Sequence, residues 1–392
     1  MAKEEKASVW SSYTEADKEA LEKLAAGYRD FLSTCKTERE SVREAVRQAE
    51  GAGYRDLQDV LRSGEKLKAG DKVYAVNMKK SIVLFQIGEE PLEQGLAILG
   101  AHIDTCRLDV KQNPLYEDGG LAYLDTHYYG GIKKYQWVTL PLALHGVVVK
   151  KDGTVVEICI GEAEGDPVFC VTDLLIHLSQ EQMKKNAAKV IEGEDLDILV
   201  GNYPLKDGEK ESVKAGVLKL IEEQYGIEEE DFLSAELVLV PAGRARDLGF
   251  DRSMILAYGQ DDRVCAYTSL VAMLESDGAR QRTSCCLLVD KEEIGSVGAT
   301  GMQSHFFENI LAELMTPAAS TASSACAAAS PTPRCSRPMS RVPTMRSTPA
   351  PTTRRTSPTS AAAWSSTSSR VPAANRGRTM PTRNISRSFA AS

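Results

Sequence analysis

The run GLAILGAHID, Gly95 to Asp104, decides how this chain is read. It is a strand-like apolar stretch that ends on His102 and Asp104. Two residues apart on an extended chain, those side chains leave the same face. A strand ending in His-x-Asp can supply a metal ligand plus a carboxylate that holds the imidazole in one tautomer. A solvated loop end is the plain alternative. Two further strand-like runs precede it, KVYAVN from Lys72 and SIVLFQIG from Ser81.

Two acidic pairs stand at equivalent places downstream. Glu292-Glu293 follows the apolar run CCLLVD and opens a Gly-rich loop. One carboxylate there can bind metal while the other activates water, although an exposed acidic turn is the commonest fate of Glu-Glu. Asp261-Asp262-Arg263 lies between a short strand and a helix expected from about Arg263. An Asp with both oxygens free can bridge two metal ions, but it can also be a helix N-cap. Three clusters in the order H-x-D, D-D, E-E, each at a strand end, favour the metal reading, because ligand chemistry in α/β sheets gathers beyond the carboxyl ends of strands.

Around this frame the chain is expected to be α/β. Thr14-Glu-Ala-Asp17 and Thr37-Glu-Arg-Glu40 read as capping boxes of two N-terminal helices. From Asn113 the chain is dense in Gly and Tyr. LALHGVVVKKDGTVVEICIG then reads as a hairpin around Lys151-Asp-Gly153. Residues 106–243 are therefore expected to form a β-rich insertion, with a helical pattern at Ser212 to Tyr225 inside it. The α/β pattern returns after Pro241-Ala-Gly243, and a last helix is expected from near Ser304 to Met315.

The 392 residues are 42% hydrophobic, enough for two domains and a full core. MAKEEKASVW has no apolar signal region, and no run approaches a membrane span. A cytoplasmic protein is expected, with nine cysteines read as buried free thiols. Residues 316–392 carry 11 arginines and no Lys, Asp or Glu, which leaves −19 for residues 1–315 against a whole-chain charge of −8. The acidic body argues against a nucleic-acid binder.

AHIDTCRLD, NPLYED, THYYGGIKKYQW, PLALHGVVV, AGRARD, AYGQDDRVCAY and DKEEIGS together resemble the aspartyl aminopeptidase / aminopeptidase I family of co-catalytic zinc peptidases, over about residues 15–315. The resemblance implies a zinc-peptidase α/β sandwich with an inserted β-rich assembly domain. Its parts would be 1–105 and 244–315 for the catalytic domain and 106–243 for the insertion. It implies two Zn2+ per subunit and peptide substrates with a free N-terminus. It also implies a large homo-oligomer, usually a tetrahedral dodecamer; from charge and hydropathy, neither nucleic acid nor membrane is expected as partner. His102 and Glu293 would bind zinc, Asp261 would bridge both ions, Asp104 would support His102, and Glu292 would be the general base. His177, in LLIHLSQ, resembles a His offered to a neighbouring subunit's active site. As a bare feature it is one His on an apolar helix face, more often structural.

The family pattern stops near Met315. The Ser/Thr/Pro/Ala/Arg tail, 316–392, could be a disordered basic linker or a nucleic-acid-binding arm, but it reads better as a GC-rich gene translated out of frame. Back-translated two bases over, Arg334 to Ser340 can read VLSADV, and Thr359 to Arg370 can read FGRGLVLHKFE. The family's fourth ligand, the Asp of that SADV-like segment, is replaced by Arg337, Pro338 and Met339. Its last ligand, a His, has no counterpart after His305. Weak zinc binding and little hydrolysis are expected. The rival readings are a non-catalytic assembly subunit and a two-zinc deacylase or carboxypeptidase.

Overall fold

A computed structural model describes residues 8–206 and 210–318, with side chains through Thr316. The expectations for the tail beyond residue 318 lie outside the described residues. The chain is mixed α/β, built mainly on two sheets.

The first sheet contains β1 (Arg55–Asp56), β2 (Lys72–Asn77), β3 (Ser81–Gln86), β4 (Ala97–His102) and β14 (Ser284–Val289), in the order β1-β2-β3-β14-β4. β14 runs parallel to β4 and antiparallel to β3. Alternate side chains feed two cores. Ile82, Leu84, Cys286 and Leu288 pack with α2 (Glu38–Gly51) and α5 (Gln260–Leu274). Val83, Phe85, Cys285 and Leu287 pack with α3 (Leu57–Ser63) and α6 (Phe306–Ala318). Every residue of β3 is buried, the mark of a strand covered on both faces. Cys285 and Cys286 therefore point to opposite sides of the sheet.

Both capping boxes form. Thr14 opens α1 (Glu15–Thr34) with Asp17 as its partner, and Thr37 opens α2 with Glu40. Each satisfies donors that the first helical turn cannot pair internally.

The second sheet is drawn from residues between Arg107 and Pro241. It contains β5 (Arg107–Asp118), β6 (Leu121–Tyr129), β7 (Leu142–Val149), β8 (Val155–Ile160), β9 (Cys170–Val171), β10 (Ile198–Gly201) and β11 (Ala235–Pro241). Its order is β8-β7-β11-β5-β6-β10-β9. The hairpin read from LALHGVVV and VVEICIG is the β7–β8 pair. α4 (Ser212–Tyr225) presents Val217, Leu218, Ile221 and Tyr225 to this sheet's core. A small ribbon of β12 (Arg246–Leu248) and β13 (Met254–Leu256) leads back to α5.

Three expectations need correction. His177 is not on a helix: it occupies an exposed turn at 176–178, flanked by exposed Leu174, Leu175, Ile176 and Leu178. That segment holds no continuous core face, so its apolar spacing reflects an exposed surface. The cysteines are free among the described residues, but only Cys35, Cys285 and Cys286 are buried, and Cys159 on the edge strand β8 is exposed. The last helix starts at Phe306, two residues later than the sequence suggests.

Charged groups join the two sheets' layers. Glu40 uses Oε2 to accept from the Lys36 and Thr37 backbone, while its Oε1 meets His145 Nδ1 at 2.8 Å. His145 Nε2 faces Glu162 Oε1 at 3.3 Å, and Lys36 Nζ lies 3.8 Å from the same oxygen. Burial opposes a charge on His145, yet contacts with Cys159, Glu162 and Glu40 carry its pKa up to about 11. A raised pKa stabilises the fold fully below the unfolded value near 6.5, and that contribution fades as pH climbs toward 11. Removing one partner of a buried ion cluster costs about 3 kcal/mol. His145→Gln is therefore expected to lower the melting temperature most at pH 6, with the gap to the unsubstituted chain narrowing at pH 9.5. Calorimetry at both pH values checks this, and a gap that widens with pH contradicts it.

Candidate metal centre

The parallel register pairs Val289 of β14 with His102 of β4. Glu292 thus follows three residues beyond the position level with His102, and both strands end on the same side. Asp261 and Asp262 enter from the start of α5, where their backbone is not yet helical and the peptide between them is cis. The regular helix begins at Arg263, as its sequence suggests. Gly259, at φ +80°, leads into this turn with no room for a Cβ, which would fall 2.0 Å from Arg263 Nη1.

His102 is buried at the centre. Its Nδ1 lies 2.9 Å from the Asp104 carbonyl oxygen and 3.3 Å from Asp104 Oδ1. Both are acceptors, so Nδ1 carries a hydrogen. Nε2 then faces Asp261 Oδ1 at 3.3 Å and Glu292 Oε2 at 3.8 Å. Nε2 can meet these two carboxylates either as a second N–H, in the charged ring, or as a lone pair with a cation held between them. Burial opposes charge on His102, but hydrogen bonds to Asp104 and Asp261 carry its pKa up to about 10. The contact with His102 in turn holds Asp261 below the usual carboxylate range, against burial. Burial pushes Glu293 and Asp262 upward.

Asp104 organises the cluster and is fully buried. Its Oδ1 accepts from the Glu292 backbone N–H at 3.1 Å, and its Oδ2 from the Glu293 backbone N–H at 3.1 Å. Oδ2 also accepts from the Tyr129 hydroxyl at 2.7 Å. Burial opposes the charged form of Asp104, but the hydrogen bonds from His102 and Tyr129 outweigh it and lower its pKa. The backbone enters this turn through Lys291 at φ +73°. Gly130, at φ +73°, passes so close that a Cβ would stand 3.2 Å from Glu293 Oε2 and 2.7 Å from Cys106 Sγ.

Tyr129 is the residue that sequence reasoning missed. It ends β6 of the second sheet yet holds the carboxylate behind His102. Arg107 stacks over its ring with the guanidinium carbon 4.0 Å from the centroid, and Arg107 Nη1 pairs with buried Glu38 Oε1 at 2.5 Å. The Tyr-Tyr-Gly-Gly of THYYGG was the available signal: a polar-tipped aromatic beside glycines that allow close approach. Arg263, also buried, donates from Nη2 to the carbonyls of Lys36 at 2.8 Å and Ile103 at 3.3 Å, tying the α1–α2 loop to the end of β4.

His102, Asp104, Asp261 and Glu292 are thus brought together, with Glu293 beside Cys106 at their border. His177 stands apart on its exposed turn. Among the described residues, the one group of three donor atoms all within 4.8 Å of one another lies elsewhere, at Glu40, His145 and Cys159. There, however, Lys36 and His145 already balance the two carboxylates, so no cation is called for. The donor set at His102 fits zinc better: one imidazole nitrogen and carboxylate oxygens, with a carboxylate behind the ring.

Comparison with known proteins agrees with this chemistry. The family model described as aminopeptidase I zinc metalloprotease (M18) matches residues 31–331, past the Met315 where the motifs stop. "Probable M18 family aminopeptidase 1" of Clostridium acetobutylicum is 61% identical over 311 residues, covering 79% of this chain and 66% of that protein. The crystal structure of aminopeptidase I from that organism superposes with a TM-score of 0.73 at 56% identity, over 81% of this chain and 70% of its own. An M18 aminopeptidase from Thermotoga maritima gives a TM-score of 0.73 at 44% identity, over 80% of this chain and 67% of its own. The chain spans about two thirds of the length of the curated relatives it matches. It belongs to the M18 family, the aminopeptidase I zinc metalloproteases.

Proposed function

We propose that the cluster around His102 is the centre of a metallo-aminopeptidase that removes N-terminal residues from peptides. The observation that carries this reading is His102 Nε2 aimed at Asp261 and Glu292, with Nδ1 turned to Asp104. His102 and Glu293 would hold one zinc each and Asp261 would bridge both. When bound, two zinc ions supply polarisation of the scissile carbonyl and acidification of water. Glu292, with its side chain about half exposed, takes the proton of the attacking water and passes it to the leaving amine. Asp104 keeps the His102 tautomer fixed throughout. A requirement for the free α-amine restricts cleavage to the first residue.

We further propose that activity is reduced in this chain. If residues 316–392 are translated out of frame, each zinc lacks one of the ligands that the family resemblance implies, and catalytic zinc normally keeps three protein ligands. The second reading, an inactive assembly subunit, draws on the unit between Arg107 and Pro241, which carries a core of its own. The exposed apolar turn bearing His177 suits a contact with another subunit. No helix among the described residues is long and apolar enough to cross a membrane.

Zinc content and hydrolysis of aminoacyl-4-nitroanilides test both readings. Fewer than two zinc ions and slow turnover are expected, with free peptides cleaved and N-acetylated ones spared. Glu292→Gln should reduce the remaining rate by about 10²–10⁴-fold. Two tightly held ions with normal turnover would refute the impairment, and a rate indifferent to Glu292→Gln would refute its role. Tyr129→Phe should leave the fold intact but weaken zinc affinity about 10–100-fold, as for other groups that orient a ligand. Competition with a chromophoric chelator reads this out, and unchanged affinity would show that Asp104 does not need the phenol.

A further inference from the structure

A cavity of about 90 Å³ lies among α1, β13 and α5. Its walls are largely apolar, with Leu21 and Leu24 from α1, Met254 and Ile255 from β13, and Val264 from α5. Leu24, Ile255 and Val264 stay only partly buried, although they border the core cluster around Tyr28 and Phe31. Well-packed interiors leave few voids larger than a water molecule. An apolar cavity of ~150 Å³ stays dry and accepts benzene, so this one suits a smaller group, a branched side chain of about three or four carbons.

Three charged side chains complete the lining: Glu22 and Arg29 from α1, and Arg252 from the turn between β12 and β13. Glu22 and Arg29 are two helical turns apart and so share a face. Arg29 and Arg252 also line an adjoining polar hollow, where with Arg246 they make three arginines around one carboxylate, Asp247. Asp247 lies 2.9 Å from Arg29 Nη1 and 3.8 Å from Arg252 Nη1. Positive charge is left over where the apolar cavity meets the hollow, and Glu22 supplies a separate negative group.

We propose that this cavity binds a free α-amino acid with a compact branched side chain, such as leucine. The side chain fills the apolar space, the carboxylate meets Arg29 and Arg252, and the ammonium meets Glu22. Pockets of this kind combine an apolar body with a few polar groups that fix orientation. Free amino acids are also what an aminopeptidase releases, but the inference rests on the cavity and not on the metal chemistry.

The test is titration calorimetry on the full 392-residue chain with leucine as probe. Saturable binding is expected, at the same affinity with and without EDTA, since no metal takes part. 4-Methylpentanoate lacks the amine, 3-methylbutylamine lacks the carboxylate and glycine lacks the side chain. Each should bind at least about fivefold more weakly than leucine, a comparison that needs no substitution. Leu24→Phe, which fills the cavity, should weaken leucine about tenfold or more. Arg29→Met should weaken leucine and 4-methylpentanoate while leaving 3-methylbutylamine where it was, a pattern that general unfolding would not give. No saturable binding, binding lost in EDTA, analogues as tight as leucine, or an affinity indifferent to Leu24→Phe would each overturn the proposal. Binding is read without hydrolysis, so failure of the catalytic reading would not mimic failure here.

Discussion

The carboxylate of Asp104 is the constraint on which the rest of the centre depends. It is fully buried, and its two oxygens receive the backbone of Glu292, the backbone of Glu293 and the hydroxyl of Tyr129. Three separate segments converge on one charge: the end of β4, the loop after β14 and the end of β6. A buried carboxylate is costly unless its lone pairs are filled. Filling them sets where Glu292 and Glu293 begin their turn and how the His102 ring faces. Positions that would otherwise lie on mobile loops become determined by one electrostatic requirement.

The same logic extends to the junction between the two sheets. Glu38 with Arg107, Lys80 with Glu236 and Glu40 with His145 all join the first two helices or the first sheet to the second sheet. Apolar packing is indifferent to small shifts, whereas paired charges are not. A registry built this way suits a centre that needs sub-ångström placement of a tyrosine from another sheet. It also explains why Tyr129 is pressed by Arg107: the guanidinium holds the ring over its target while burial and Asp104 keep the phenol protonated.

Much of this was legible in the sequence. Thr14 and Thr37 announced their helices because capping is local chemistry, and α4 emerged at Ser212–Tyr225 as its periodicity indicates. The strand-end placement of His102, Asp261 and Glu292 was readable for the same reason: each follows a short apolar run. Tyr129 was not, because its contact with Asp104 spans 25 residues and two sheets, and nothing in a tyrosine-rich strand distinguishes the residue that turns inward. His177 misled because apolar spacing alone does not say whether a core is present to receive it. His145 looked like one more residue of a hairpin, since its partners Glu40 and Glu162 lie 105 and 17 residues away.

Among the described residues, Glu40, His145 and Cys159 bring their donor atoms within 4.8 Å of one another and include a sulfur, whereas the groups facing His102 Nε2 are carboxylates. The account holds that a divalent metal goes to the His102 cluster because one imidazole there faces the carboxylates of Asp104, Asp261 and Glu292, while Glu40 and His145 are already paired. X-ray absorption at the zinc edge on the zinc-loaded chain separates them directly. A first shell of nitrogen and oxygen alone, near 2.0–2.1 Å, is predicted. A sulfur contribution at about 2.3 Å that disappears in Cys159→Ser would place the metal at the other cluster and contradict the account.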